Sequence, residues 1–186
     1  VHPDDVELGC SGTIINEVRL GKKVGVIDLT QGELGTRGDI ASRYTEAAKA
    51  AEIMGVSHRE NLKMRDGFFR NDEAHQLLLI QAIRKYQPEI VLSNALDDRH
   101  PDHGRAGKLI ADACFLSGLV KIETLDANGQ PQDRWRPKCI LHYIQDRLQE
   151  PDLIIDISAV FEQKMLAIEA YTTQFYNPDT EIEAPQ

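Results

Sequence analysis

With 186 residues, 41% hydrophobic and 27% charged, the chain has the size and balance of one globular domain with a real core. Its net charge of −9 supplies no basic face for nucleic acid and no attraction to an anionic membrane, so a small molecule is the expected partner. Cys10, Cys114 and Cys139 are too few and too scattered for a disulfide framework and read as reduced, buried thiols. No run reaches the ~18 apolar residues of a membrane span, and no charged-then-apolar leader is present, which points to a cytoplasmic protein.

The chain opens on His2-Pro3-Asp4-Asp5, which reads as a strand end entering a loop. A parallel-sheet protein would place an apolar strand before it, so a short N-terminal strand is expected ahead of Val1. Gly9 to Leu20 reads as a helix with Ile14, Ile15 and Val18 on one face and Gly21 as its stop. Lys23 to Leu29 has the continuous apolar character of a strand buried on both faces. A glycine-rich loop, Thr30 to Asp39, ends on an aspartate able to cap the helix Ile40 to Met54, which Gly55 stops.

Glu60 to Met64 reads as a short strand. Asn71 or Asp72 opens a helix that runs to Tyr86 and is stopped by Pro88. Ile90 to Ser93 is a strand, Asn94 to Pro101 a polar loop, and Asp102 to Leu116 a helix. Leu119 to Trp135 reads as an irregular excursion. Lys138 to Ile144 and Leu153 to Ile157 read as strands, Val160 to Tyr171 as the last helix, and Asn177 to Gln186 as an unfinished loop. Strands alternating with helices predict a single α/β domain over 1–186, Rossmann-like, with helices on both faces of a mostly parallel sheet. Ligands of such folds bind beyond the carboxyl ends of the strands.

Two polar clusters stand at such strand ends, His2-Pro3-Asp4-Asp5 and Asp97-Asp98-Arg99-His100-Pro101-Asp102-His103. A catalytic zinc site uses three protein ligands and one open position, and two histidines with a carboxylate suit zinc or iron. His2 and Asp5, three residues apart, can share one ion, and His103 can complete the set. Asp4 is then a spare carboxylate able to take a proton from water. His100, one turn before His103, can stabilise an oxyanion or protonate a leaving amine. Asp102 can hold an imidazole in orientation.

His2-Pro3-Asp4-Asp5-Val6-Glu7-Leu8-Gly9 followed by Arg99-His100-Pro101-Asp102-His103 resembles the LmbE-like family, also called PIG-L deacetylases. Ile155-Asp156-Ile157-Ser158 and Glu169-Ala170-Tyr171-Thr172-Thr173-Gln174-Phe175 are similar to its bacillithiol branch, as is Val6-Glu7 where the family usually has Glu after the second Asp. The resemblance implies a three-layer sandwich, one Zn2+ per chain, and hydrolysis of the acetyl group of N-acetylglucosaminyl-malate. It implies His2, Asp5 and His103 as metal ligands, Asp4 as general base, and His100 with Asp102 as its catalytic partners. Arg43 matches a substrate-binding arginine, Arg136 one that reaches a neighbouring subunit's active site, and Tyr171 a tyrosine near the site. Trimers or hexamers are common in that family, so a homo-oligomer is implied.

Three rivals share parts of this pattern. A deacetylase of another acetylated sugar would keep the motif residues and differ at the rim. A non-catalytic sugar-binding protein would have no use for a spare base beside a ligand. A phosphoesterase would need two metals ~3.5–4 Å apart.

Overall fold

Capping signals in the sequence set the helix limits. In the computed structural model, which describes residues 1–175, the elements in chain order are α1 (Asp5–Gly9), α2 (Ser11–Arg19), β1 (Gly25–Thr30), α3 (Ile40–Met54), β2 (His58–Met64), α4 (Glu73–Tyr86), β3 (Ile90–Asn94), α5 (Pro101–Leu116), β4 (Cys139–Tyr143), a 3-10 turn (Ser158–Val160) and α6 (Phe161–Glu169). The segment read above as an unfinished loop, 177–186, lies outside the described residues. The chain divides into two compact units, Leu62–Leu153 with Val1, and His2–Asn61 with the segment from Ile154.

In the unit built from His2–Asn61, α3 shows how the limits arise. Asp39 accepts the Ser42 N–H at 2.7 Å while the Ser42 hydroxyl accepts the Asp39 N–H at 2.8 Å, a reciprocal cap. Gly55 closes the helix with φ 73°, a conformation that costs a residue with a Cβ. The small face of α3, Ala47 and Ala50, packs against Ala170 and Tyr171, with Ile53 and Phe175 at the margin. β1 is hydrogen-bonded to β2.

In the Leu62–Leu153 unit, β3 and β4 pair in parallel from Ile90 opposite Cys139 to Asn94 opposite Tyr143. The α/β class with parallel strands is thus as expected. α4 and α5 pack together, and α5 also packs on β3. Arg84 on α4 is buried without a carboxylate partner among its hydrogen bonds. Its guanidinium donates to the carbonyls of Ser117, Leu119 and Ile122 and to the Thr124 hydroxyl, at 2.7–3.0 Å, and so staples the irregular excursion. Gly107 is the closest approach of α5 to the strand end: a Cβ there would stand 2.9 Å from the carbonyl oxygens of both Asn94 and Ala95. Gly107→Ala is therefore expected to cost about 1–3 kcal/mol of stability, read from urea unfolding. A variant as stable as its parent would mean that the strand end yields.

Several expected boundaries are corrected. The first helix is not Gly9–Leu20. It begins at Asp5, inside the polar motif, and breaks at Cys10, whose φ of −142° and ψ of 10° leave the helical region. Leu153–Ile157 forms no strand among the described residues. Its apolar run passes largely exposed into the 3-10 turn, where Asp156 accepts both the N–H and the hydroxyl of Ser158. The last helix stops at Glu169, two residues before the predicted end. Cys10 and Cys114 are buried free thiols, each pushed up to about 12 by burial, but Cys139 is exposed. No helix among the described residues is long and apolar enough to cross a membrane.

Candidate active site

The first motif lies in the unit built from His2–Asn61. Asp4 is the residue before α1 and has φ 130°, which a side chain rarely adopts, and its carboxylate does not cap the helix. That carboxylate instead accepts a hydrogen bond from Arg43 Nη1 at 2.8 Å, and the same Nη1 donates to the Pro3 carbonyl at 2.8 Å. Burial, reinforced by the neighbouring Asp5 charge, raises Asp4 to about 6 against the opposing pull of Arg43. A carboxylate raised in this way is a better proton acceptor than an ordinary aspartate. Backbone strain of this kind concentrates at functional sites.

Asp5, on the first turn of α1, is almost fully buried. Its Oδ2 accepts the His2 N–H at 2.9 Å and lies 3.4 Å from His2 Nδ1. The motif thus brings His2 and Asp5 together, as the spacing predicts. Two residues on, in the same turn, Glu7 is fully buried and is held by Arg59 Nη1 and by the Tyr171 hydroxyl at 3.2 Å. Burial raises the Glu7 carboxyl, with Arg59 opposing. Arg59 also grips Asp28 of β1 through Nε and Nη2 at 2.8 and 2.9 Å. This buried network ties the short helix carrying Asp5 to β1, β2 and Tyr171, two residues past the end of α6. Arg59→Met is expected to strand two buried carboxylates and cost about 3–5 kcal/mol. Chemical denaturation of the variant measures this, and a loss below about 1 kcal/mol, typical of an exposed pair, would contradict it.

The second motif lies in the Leu62–Leu153 unit, at the start of α5. Pro101 takes the first helical position, and His100 caps the helix through Nδ1, which accepts the Asp102 N–H at 3.2 Å. An Nδ1 that accepts leaves the ring proton on Nε2, so hydrogen bonding assigns His100 as an Nε2–H donor. His103, also buried, donates from Nδ1 to Asp98 Oδ1 at 3.0 Å. That bond sets the opposite tautomer, with the lone pair on Nε2, as in carboxylate–histidine–metal arrangements. Burial would raise Asp98, yet the His100 N–H and the His103 imidazole hold it below the usual carboxylate range. The two imidazoles stack with centroids 4.9 Å apart.

Asp102 is fully buried. It accepts the Gly67 N–H at 2.8 Å and Arg105 Nη1 at 2.6 Å, and Arg105 also donates to the Gly67 carbonyl. Asp98 is a carboxylate against the His103 ring. Arg43, expected at a substrate, is buried on Asp4 and wrapped by the glycine loop: a Cβ on Gly32 or Gly35 would lie 3.4 Å from its guanidinium. Tyr171 is fully buried, with its hydroxyl on Glu7. Arg136 lies over Phe115 at 4.2 Å and donates to the Phe115 carbonyl, at the opposite end of α5 from His100 and about 20 Å along the helix. Sequence reading missed Asp98, Arg59 and Asp28. Asp98 had a signal, since it stands in the polar run before His103; Arg59 had none.

Residues 1–114 match the family model described as PIG-L, GlcNAc-PI de-N-acetylase. A diacetylchitobiose deacetylase of Thermococcus kodakarensis is 29% identical, over 94% of this chain and 67% of that protein. A probable N-acetyl-alpha-D-glucosaminyl L-malate deacetylase 2 of Bacillus subtilis is 27% identical, over 93% of this chain and 80% of that protein. A 4-oxalmesaconate hydratase of Pseudomonas putida is 26% identical, over 93% and 71%. Among solved structures, a conserved protein of Thermus thermophilus superposes with a TM-score of 0.86 at 36% identity, over 94% of this chain and 76% of that one.

Proposed function

Because this chain belongs to the PIG-L family, we propose that it is a deacetylase that hydrolyses the N-acetyl group of an N-acetylglucosaminyl conjugate, with the malate conjugate as substrate. The observation that carries the reading is Asp4: a half-buried carboxylate held by Arg43 at 2.8 Å and adjacent to a metal-ligand type of residue without being needed as one. The malate aglycone is supported by the Bacillus subtilis relative.

The proposed metal ligands are His2, Asp5 and His103, with one Zn2+ per chain. The residue types suit such an ion: two imidazoles and a buried carboxylate, one imidazole having its Nδ1–H bonded to Asp98 as liganding histidines do. Bound there, zinc would supply Lewis-acid polarisation and make water acidic enough to lose a proton near neutrality. Asp4 takes the proton of the attacking water. The Nε2–H of His100 is a donor for the oxyanion that forms as water adds to the acetyl carbon. The carbon–nitrogen bond then breaks, and the amine leaves with the proton that Asp4 took from water; His100, whose Nδ1 accepts the Asp102 N–H, keeps its Nε2–H as a hydrogen-bond donor. Asp102 holds the 65–69 turn against α5, and Arg43 holds Asp4. In the same reading the protein is a homo-oligomer in which Arg136 serves a neighbouring subunit, which sedimentation velocity with the wild type and Arg136→Ala tests.

Acetate release from N-acetylglucosaminyl-malate, diacetylchitobiose and free N-acetylglucosamine, with zinc content measured on the same sample, tests the function. Faster turnover of the malate conjugate supports the aglycone, and no acetate from any of the three sinks the deacetylase. The Pseudomonas putida relative favours a second reading, hydration of a carbon–carbon double bond, and an arm with 4-oxalmesaconate followed by absorbance separates the two.

A further inference from the structure

Arg43, which matches a substrate-binding arginine, donates through Nη1 to Asp4 and to the Pro3 carbonyl. Several other arginines pair with acids: Arg59 with Glu7 and Asp28, Arg99 with Asp146, Arg105 with Asp102, and Arg147 with Asp97. Arg65 and Arg70 make no such pair among the described residues. Both are exposed, and Arg70 feels Asp72, which caps α4, only through space. Together with Gly67, Phe68, Phe69 and Arg105 they line a cavity of about 450 Å³ in the Leu62–Leu153 unit. That volume is within the range of small-ligand sites. Three arginines thus line one cavity in a chain of net charge −9.

The cavity wall is held in place before any ligand arrives. The Arg65 carbonyl accepts the N–H groups of Phe68 and Phe69 at 3.2 and 2.9 Å, closing a tight turn in which Gly67 has φ 71°. Asp102 and Arg105 fasten Gly67 from α5. The Arg65 guanidinium lies over the Phe68 ring at 4.6 Å, and that of Arg105 over Phe69 at 5.2 Å. Stacking restrains a guanidinium plane while keeping its in-plane N–H fork available, the geometry that matches carboxylate and phosphate oxygens. Phe68, at 59% exposure, is otherwise a large apolar ring facing solvent, and its position is accounted for by this stacking.

We propose that this cavity is an anion site that takes a small carboxylate- or phosphate-bearing group, with Arg65 and Arg70 as its direct donors and Arg105 as the fixed positive charge beside them. Two sources share that chemistry. One is the acidic end of the substrate, which rests on the deacetylase reading above; the other is a free small anion, which does not.

The test uses the full chain and the double variant Arg65→Gln, Arg70→Gln. Both positions are exposed, so the melting temperature serves as the check on folding. Calorimetry with L-malate and with inorganic phosphate is expected to show binding to the wild type and weakening of about tenfold or more in the variant. If KM for N-acetylglucosaminyl-malate rises similarly while an uncharged N-acetylglucosamine glycoside is unaffected, the anion is the substrate's own. Loss of phosphate and malate binding with both KM values unchanged assigns the site to a free anion. Absence of binding to the wild type, or equal binding to the variant, overturns the proposal. Failure of every substrate to release acetate sinks the deacetylase reading alone, because calorimetry needs no turnover.

Discussion

Asp4→Asn is expected to lower kcat by about 10²–10⁴-fold while fold and metal content stay unchanged. Asparagine keeps the shape of the side chain, and its Oδ1 can still accept from Arg43 Nη1, which now reaches the carboxylate at 2.8 Å. Backbone strain at φ 130° is also retained, and asparagine tolerates positive φ comparatively well. What is lost is a basic oxygen that burial and Asp5 have raised to about 6. The measurements are single-turnover acetate release and zinc by elemental analysis. Full rate in the variant would remove Asp4 as the base. Loss of zinc along with activity would instead make Asp4 a ligand and require a different base.

His103→Ala is expected to abolish zinc retention through dialysis, and activity with it. The imidazole is buried and its tautomer is set by Asp98, so its loss removes a preorganised donor and leaves Asp98 without the ring that helps hold it ionised. Asp98→Asn is the gentler companion. It keeps an acceptor for the His100 N–H but weakens the bond to Nδ1, and removal of such supporting carboxylates typically costs ~10–100-fold in metal affinity. Competition with a chromogenic chelator reads both. Unchanged zinc affinity in His103→Ala would refute the proposed ligand set, whereas an unchanged value in Asp98→Asn alone would refute only the orienting role.

What could be read from sequence followed from how local each determinant is. α3 was bounded correctly at both ends because its cap Asp39 and its stop Gly55 are adjacent to it in the chain. The start of α5 was nearly correct for the same reason, since Pro101 can enter a helix only at its first turn. The first helix was misplaced because His2-Pro3-Asp4-Asp5 was weighed as loop chemistry, while the backbone already turns helical at Asp5. Leu153–Ile157 carries the apolar content of a strand, but a strand also needs a hydrogen-bonding neighbour, which no local pattern reveals. Arg59 sits 52 positions from Glu7 and 31 from Asp28, so its role is a matter of tertiary pairing. Arg43 was noticed as a candidate, but its bond through Nη1 to Asp4, 39 positions away, is again a matter of tertiary pairing.

Gly104 and Gly107 occupy the face of α5 that meets the end of β3, where an added Cβ would lie 3.0 Å from the Leu96 carbonyl oxygen and 2.9 Å from those of Asn94 and Ala95. The absence of two side chains therefore sets how deeply the helix beds down, and His100 and His103 ride on its opening turn at that depth. A relative with alanine or serine at either place would carry its imidazoles on a helix lifted by a few tenths of an ångström or bent to compensate. Such drift is comparable to the ~0.5 Å within which a reacting constellation must be held. Side-chain size at these two places is thus a criterion for ranking relatives by catalytic competence that does not look at the histidines themselves.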